Sequence, residues 1–126
     1  NKFTEDNDFK IFLANFKRIN NILKSIKFSN YKEIQVSSRF FETTEEKNIY
    51  NQINSFSLEI NERGFCEKSQ DILIKSLINM NKSISLFLDN VIVDHHDYRI
   101  KHNRLTLLRN LHDLMLKFSS FNLIED

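Results

Sequence analysis

A chain of 126 residues with one Gly, one Cys, no Pro and no Trp fits one domain with a real core, but leaves no room for a separate catalytic domain. One cysteine excludes an internal disulfide or a thiolate zinc site, and one glycine excludes the glycine-rich loops that cradle nucleotide phosphates. A mean hydropathy of −0.43 without a long apolar run argues against a membrane span, and a net charge of +1 singles out no partner. A soluble, intracellular helical domain is expected.

Only Ala14 represents the best helix former, so periodicity carries the assignment of elements. Phe9, Phe12, Phe16, Ile19, Leu23 and Ile26 recur at steps of three and four, which predicts an amphipathic helix from Thr4 or Asn7 to Lys27. Lys10, Lys17 and Lys24 fall on its opposite side, flanked by Arg18 and Asn21. Phe28 to Phe41 has no clean period and reads as a connection. Thr43 followed by Glu46 has the form of a capping box. Ile49, Ile53, Phe56 and Ile60 mark a second helix that Gly64 can close as a left-handed residue.

A third helix is predicted from Ser69 to Met80 through Ile72, Leu73 and Leu77, and a shorter fourth carries Ile84, Phe87, Leu88 and Val91. Val91 to His96 has no partner strand and reads as a buried loop. The last helix, Asp97 to Ser119, aligns Ile100, Leu107, Leu108, Leu111, Leu114, Met115 and Phe118, with a tail through Phe121, Leu123 and Ile124 folded back on the bundle. The fold class is therefore all-α, a single-domain bundle of about five helices.

Charge is distributed unevenly. Seven basic residues between Lys10 and Arg39 face Glu33 alone, whereas Glu42 to Glu67 holds six Glu against Lys47 and Arg63. Between Arg99 and His112 four cations occur with no carboxylate. Two basic segments around an acidic one predict a surface with one positive face. The chain opens at Asn1 with no signal-peptide pattern, which suggests a piece cut from a longer polypeptide.

Catalytic and metal-binding chemistry are not indicated. Asp94, His95, His96 and Asp97 include metal-ligand types, but sequence neighbours rarely converge on one ion, and a polar loop with Asp97 capping the last helix fits better. Cys66 sits beside Glu67, the wrong charge for an activated thiolate. Glu45 and Glu46 suit the first turn of a helix, where anions offset the macrodipole. Arg104 falls on the apolar stripe of the last helix. An Arg there is costly unless paired, so the favoured role is structural, with the guanidinium holding backbone carbonyls or an acid at a helix start.

Five segments carry a family resemblance. Phe16-Lys17-Arg18-Ile19-Asn20-Asn21-Ile22-Leu23 resembles the KR-hydrophobic-x-NIL run in the C-terminal domain of the bacterial glycyl-tRNA synthetase beta subunit. Val36-Ser37-Ser38-Arg39-Phe40-Phe41 is similar to its VNxxLF stretch, and Phe87-Leu88-Asp89-Asn90-Val91-Ile92-Val93 to its FFDxVMV segment. Asn103-Arg104-Leu105-Thr106-Leu107-Leu108 with Leu111 resembles its NRLxLLxxL helix, and Phe118 to Ile124 its closing VADISLL. The matches stand in the family's order over nearly the whole chain. The domain type is the DALR anticodon-binding fold, although Tyr98-Arg99-Ile100-Lys101 stands where the acid-Ala-Leu-Arg signature is usual, so a contact made by the missing acid has no counterpart.

The resemblance implies that residues 1–126 form an anticodon-binding domain at the C-terminus of a large beta subunit, which supports ATP-dependent attachment of glycine to its tRNA in the cytoplasm. Glycine activation with ATP and magnesium would belong to the alpha subunit, leaving this part without catalytic residues, cofactor or metal of its own. Glycine tRNA and the alpha subunit are the implied partners; neither DNA nor a membrane is. Lys10, Lys17, Arg18, Lys24, Arg99 and Lys101 are candidates for phosphate contacts, and Asn20, Asn21 and Asp94 for accepting from a cytosine amine. Tyr31 and Tyr98 are candidate stacking partners. The alternatives are the corresponding domain of an arginyl-tRNA synthetase, and a helical protein-interaction bundle without an RNA role.

Overall fold

The three- and four-residue apolar spacing becomes helix in the computed structural model, which describes residues 7–26, 35–64 and 67–117. In chain order the elements are α1 (Asn7–Ser25), a 3-10 turn (Ser38–Phe40), α2 (Thr44–Arg63), α3 (Glu67–Ile78), α4 (Asn81–Asn90) and α5 (Tyr98–Lys117). Among the described residues there is no strand, and the architecture is all-α. Thr4, Lys27, Phe28, Tyr31, Cys66 and the tail from Phe118 onward, which entered the sequence reading, lie outside the described residues.

Phe9, Phe12, Ile19 and Leu23 bury the inner face of α1, and Phe16 packs half-buried beside them. The start of α2 is fixed by a complete capping box. Thr43 Oγ1 accepts from the Glu46 amide at 3.1 Å, and Glu46 Oε1 accepts from the amides of Thr43 and Glu42 at 3.0 and 2.9 Å. Ile49, Ile53, Phe56 and Ile60 form its buried stripe. Gly64 follows with φ 75° and ψ 174°. The positive φ is the one expected, but this ψ lies outside the left-handed helical well and in a region that is essentially glycine-only.

Only Asn79 and Met80 separate α3 from α4. On α3 the inward stripe is Leu73, Ile74 and Leu77, whereas Ile72, read with Leu73 and Leu77 as marking this helix, is exposed. The face that α3 presents to α2 and α1 is rotated by one residue, placing Ile74 inside instead. On α4, Ile84, Phe87 and Leu88 are buried. The loop after it is only half buried: Val91 and Val93 turn inward, while Ile92, Asp94 and His96 face solvent. Alternation along an extended stretch explains this correction, since successive side chains point to opposite sides.

α5 is the axis of the bundle, with α1, α2 and the 3-10 turn packed round it. Every residue from His102 to Leu108 is consequently buried, polar ones included. Three polar contacts fix the direction of α1 against α4: Asn81 Nδ2 donates to Asp8 O (2.7 Å), Asn15 Nδ2 to Ser85 Oγ (3.1 Å), and Arg18 pairs with Asp89 (2.9 Å). These helices therefore run parallel. Phe16 stacks on His112 at 5.4 Å, while the carbonyl of Ile92, just past α4, meets Arg104. Both α1 and α4 are thus antiparallel to α5. One end of the bundle gathers the C-terminal turn of α1, the start of α2, the 91–97 loop and the N-terminus of α5.

Candidate nucleic-acid interface

Arg104 organises that end from inside. Its Nε lies 3.0 Å from Glu46 Oε2, its Nη2 lies 3.2 Å from Glu46 Oε1 and 3.3 Å from Glu42 Oε1, and its Nη1 donates to the Ile92 carbonyl at 2.8 Å. The acid at the helix start is the one that closes the α2 capping box, so a single guanidinium joins α5, α2 and the 91–97 loop. Burial acts to raise the Glu46 carboxyl, but hydrogen bonds from Arg104, the Glu42 amide and Thr43, with the Arg104 charge, outweigh it and hold the group below its ordinary value.

The candidate cations sit outside this frame. Lys10, Lys17, Arg18, Asn21 and Lys24 are exposed along α1, and Asn20 is half-buried. Lys10 is about 21 Å from Lys24 along the helix, at 1.5 Å per residue, and belongs to the opposite end of the bundle. Arg99, Lys101 and Asp94 are brought together with the 91–97 loop, but not as bare charges. Lys101 Nζ pairs with Asp94 Oδ1 at 2.9 Å, Arg99 pairs with Asp97 at 3.3 Å, and Arg18 pairs with Asp89. The expected positive face is therefore interspersed with carboxylates. Asp97 also caps α5, accepting from the Arg99 amide at 2.9 Å. The hydrogen bonds from the Arg99 side chain and amide hold its carboxyl below the ordinary value.

An open groove of about 190 Å³ lies between the 3-10 turn and the first turns of α5. Asn103 builds its base by pairing with one residue of the turn: Oδ1 accepts from the Ser37 amide at 2.8 Å and Nδ2 donates to the Ser37 carbonyl at 3.0 Å. That reciprocal pair fixes the turn on α5. The guanidiniums of Arg39 and Arg99 lie 5.3 and 5.6 Å from the centroid of the Phe40 ring. Tyr98 is 62% exposed at the mouth, its ring 5.6 Å from that of buried His102. Burial pushes the His102 imidazole below its ordinary value and favours the neutral form.

Arg39, Phe40 and Asn103 lie in segments that carry the resemblance, but neither they nor Gln35 were among the candidate contact residues. Gln35, Arg39 and Phe40 lie in a stretch without periodicity, where only the tertiary contact with α5 brings them to Tyr98 and Arg99. Asn15 was missed as a buried polar residue, although its place between Phe12 and Ile19 puts it on the inner face. On the 91–97 loop the rings of His95 and His96 stack at 4.4 Å, and His95 Nδ1 accepts from the Asp97 amide at 2.9 Å. Among the described residues no group of three or more His, Cys, Asp or Glu side chains is arranged to hold a metal ion, and no helix is long and apolar enough to cross a membrane.

The fold and the groove together define an all-α binding module, with its polar and aromatic groups displayed at one end of a packed bundle. Residues 12–120 match the DALR anticodon binding domain. The chain belongs to that family. It is also similar to proteins named glycine–tRNA ligase beta subunit. That of Thermodesulfovibrio yellowstonii is 32% identical over 113 residues, covering 90% of this chain and 16% of that one. That of Buchnera aphidicola subsp. Schizaphis graminum is 33% identical over 106 residues, 84% and 15%. That of Rickettsia bellii is 31% identical over 121 residues, 96% and 17%. The chain thus spans about a sixth of the length of these relatives.

Proposed function

We propose that this domain grips the anticodon arm of glycine tRNA as the C-terminal module, residues 1–126, of a glycine–tRNA ligase beta subunit. The observation that carries the proposal is the match of residues 12–120 to the anticodon binding family, supported by relatives named for glycine rather than arginine. The exposed lysines of α1 supply phosphate contacts, which give affinity and orientation without sequence information. Exposed pairs such as Arg18–Asp89 contribute only about 0–1 kcal/mol, so a phosphate competes readily for the cation.

In this assignment the parent is a cytoplasmic synthetase, and glycine activation with ATP and magnesium lies with a partner alpha subunit. No chemical step is assigned to the residues of this domain. Binding of the chain to glycine tRNA at two salt concentrations, against the same tRNA with its anticodon cytosines replaced, tests the proposal. Preference for the unaltered tRNA that persists at the higher salt is expected. Equal, salt-sensitive binding to both would reduce the domain to a basic surface, and absence of binding would favour a protein-interaction bundle.

A further inference from the structure

The outer side of α2 and α3 takes no part in the RNA-facing end. Only Gly64, Phe65 and Cys66 separate the two helices, and helices joined so closely pack as antiparallel neighbours. Between them opens a cleft of about 240 Å³. Gln52, Phe56 and Glu59 line it from α2, and Ser76 and Met80 from α3, at steps of three and four, so each helix presents one continuous stripe. Phe56 and Met80 are buried and form the floor, whereas Gln52, Glu59 and Ser76 are half-buried on the walls. Two exposed apolar side chains flank it. Ile72 is one turn before Ser76 on the α3 stripe, and Leu58 is one turn after Ser55 at the α2 rim.

We propose that this cleft docks a basic, amphipathic helix from the part of the ligase subunit that lies outside residues 1–126. This rests on the proposed membership of a larger subunit and names the surface by which the domain is held to it. The chain covers only 15% to 17% of each relative, so in such a subunit the domain has a large neighbour to meet. The shape suits a rod. The cleft is open and follows two helix axes, and side chains three and four apart on a docked helix fit between stripes of the same spacing. Its volume lies below the roughly 300–1,000 Å³ of small-molecule pockets, and its mixed polar and apolar lining is that of an interface between domains of one chain.

Charge selects the occupant further. Glu59 is the only charged residue lining the cleft, and Glu62 is exposed one turn on along the same side of α2. Asp71 and Lys75 on α3 offset each other, so the local sign comes from α2 and calls for Lys or Arg on the docked helix. Gln52 Oε1 is shielded from solvent and accepts no hydrogen bond, so the amide can turn toward a docked donor without that oxygen giving one up. Glu59 lies about 22 Å from Thr44 along α2, at 1.5 Å per residue, which keeps the docked helix clear of the end that faces RNA.

The test compares the chain of residues 1–126 with the whole ligase subunit that contains it, by maleimide labelling of single introduced cysteines in the absence of RNA. Mass spectrometry reads each site separately from Cys66. Ser55→Cys and Ser76→Cys report on the cleft, and Lys17→Cys on the outer face of α1 is the control. Labelling at both cleft positions is expected to slow by about tenfold or more in the whole subunit, since a site that is open for a small fraction of the time reacts in proportion to that fraction. The control should not change. Ile72→Lys and Glu59→Lys should each restore the faster rate, with circular dichroism of the isolated variants confirming native helical content. Equal labelling of the cleft in the two proteins, or protection that survives both substitutions, would overturn the proposal. Protection that appears only when the alpha subunit or glycine tRNA is added would also overturn it, by assigning the cleft to that partner. Binding of glycine tRNA is measured on the same whole subunit. Its failure with the cleft still protected would overturn the proposed function and leave the docked helix in place.

Discussion

Arg104 and Glu46, 58 residues apart in the chain, meet through two hydrogen bonds of 3.0 and 3.2 Å in the interior, and Glu46 is the same residue that closes the capping box of α2. One carboxylate thus terminates a helix with one oxygen and neutralises a buried cation with both. Because Arg104 also holds the Ile92 carbonyl, the pair connects helix initiation to the loop preceding α5.

Removing Arg104 leaves the buried Glu46 carboxylate without a cation, and removing Glu46 leaves Arg104 only the half-exposed Glu42 carboxylate and the Ile92 carbonyl. Arg104→Ala is expected to destabilise the domain by about 3–5 kcal/mol, read as a lowered urea midpoint and melting temperature. Glu46→Gln should also be destabilising, and the double variant should fall well short of the sum of the two. Additive losses in that cycle, or a native melting temperature for Arg104→Ala, would remove the pair from the frame.

The pH dependence takes its sign from Glu46 and His102, and the exposed Asp97, whose carboxyl is also held down by Arg99, acts in the same direction. The Glu46 carboxyl lies below its ordinary value when folded, so the unfolded chain takes up the proton first and stability falls as pH drops through the carboxylate range. His102 is depressed by burial, so the unfolded chain again protonates first, beginning below about pH 6.5. Both stabilising contributions are present at neutral pH and both are lost toward acid. Urea midpoints should decline in two stages from pH 7 to 4, with His102→Gln flattening the upper stage only. A midpoint that rises between pH 7 and 5 would contradict this.

Much of the frame was legible because its signals are local. Thr43 with Glu46 and the spacing of Ile49, Ile53, Phe56 and Ile60 are short-range patterns, and each appears in the structure as a cap or a buried stripe. Arg104 could be recognised as misplaced on an apolar stripe, although its partner acids lie on a different helix that periodicity cannot pair with it. The groove was not legible. Gln35 and Phe40 reach Tyr98 only because Asn103 secures Ser37, a contact across 66 residues that no spacing encodes. Ile72 illustrates a different limit: three adjacent apolar residues leave the inward face of a short helix undetermined until its neighbours are placed.

Gly64 should resist substitution for a reason unrelated to space. A Cβ there would meet nothing within 4 Å, yet φ 75° with ψ 174° is a conformation that only glycine adopts readily. Gly64→Ala is expected to cost about 1–3 kcal/mol, measured by equilibrium urea unfolding. A neutral result would mean that the chain relaxes at this position without cost to the packing of α2.

The outer face of α1 provides the most direct check on RNA binding. Lys17 and Arg18 are exposed, and neither lies in the core, so reversing both to Glu should leave helical content and the melting temperature close to native. Affinity for glycine tRNA should fall, and the slope of log affinity against log salt should shrink by about one for each phosphate that is no longer neutralised. Asp89→Asn acts in the opposite direction: it releases Arg18 from its 2.9 Å pair and should strengthen binding at low salt, with less effect at high salt. If charge reversal leaves both affinity and slope unchanged, the RNA path does not cross this part of α1. If Asp89→Asn weakens binding instead, its carboxylate contributes to the interface rather than opposing it.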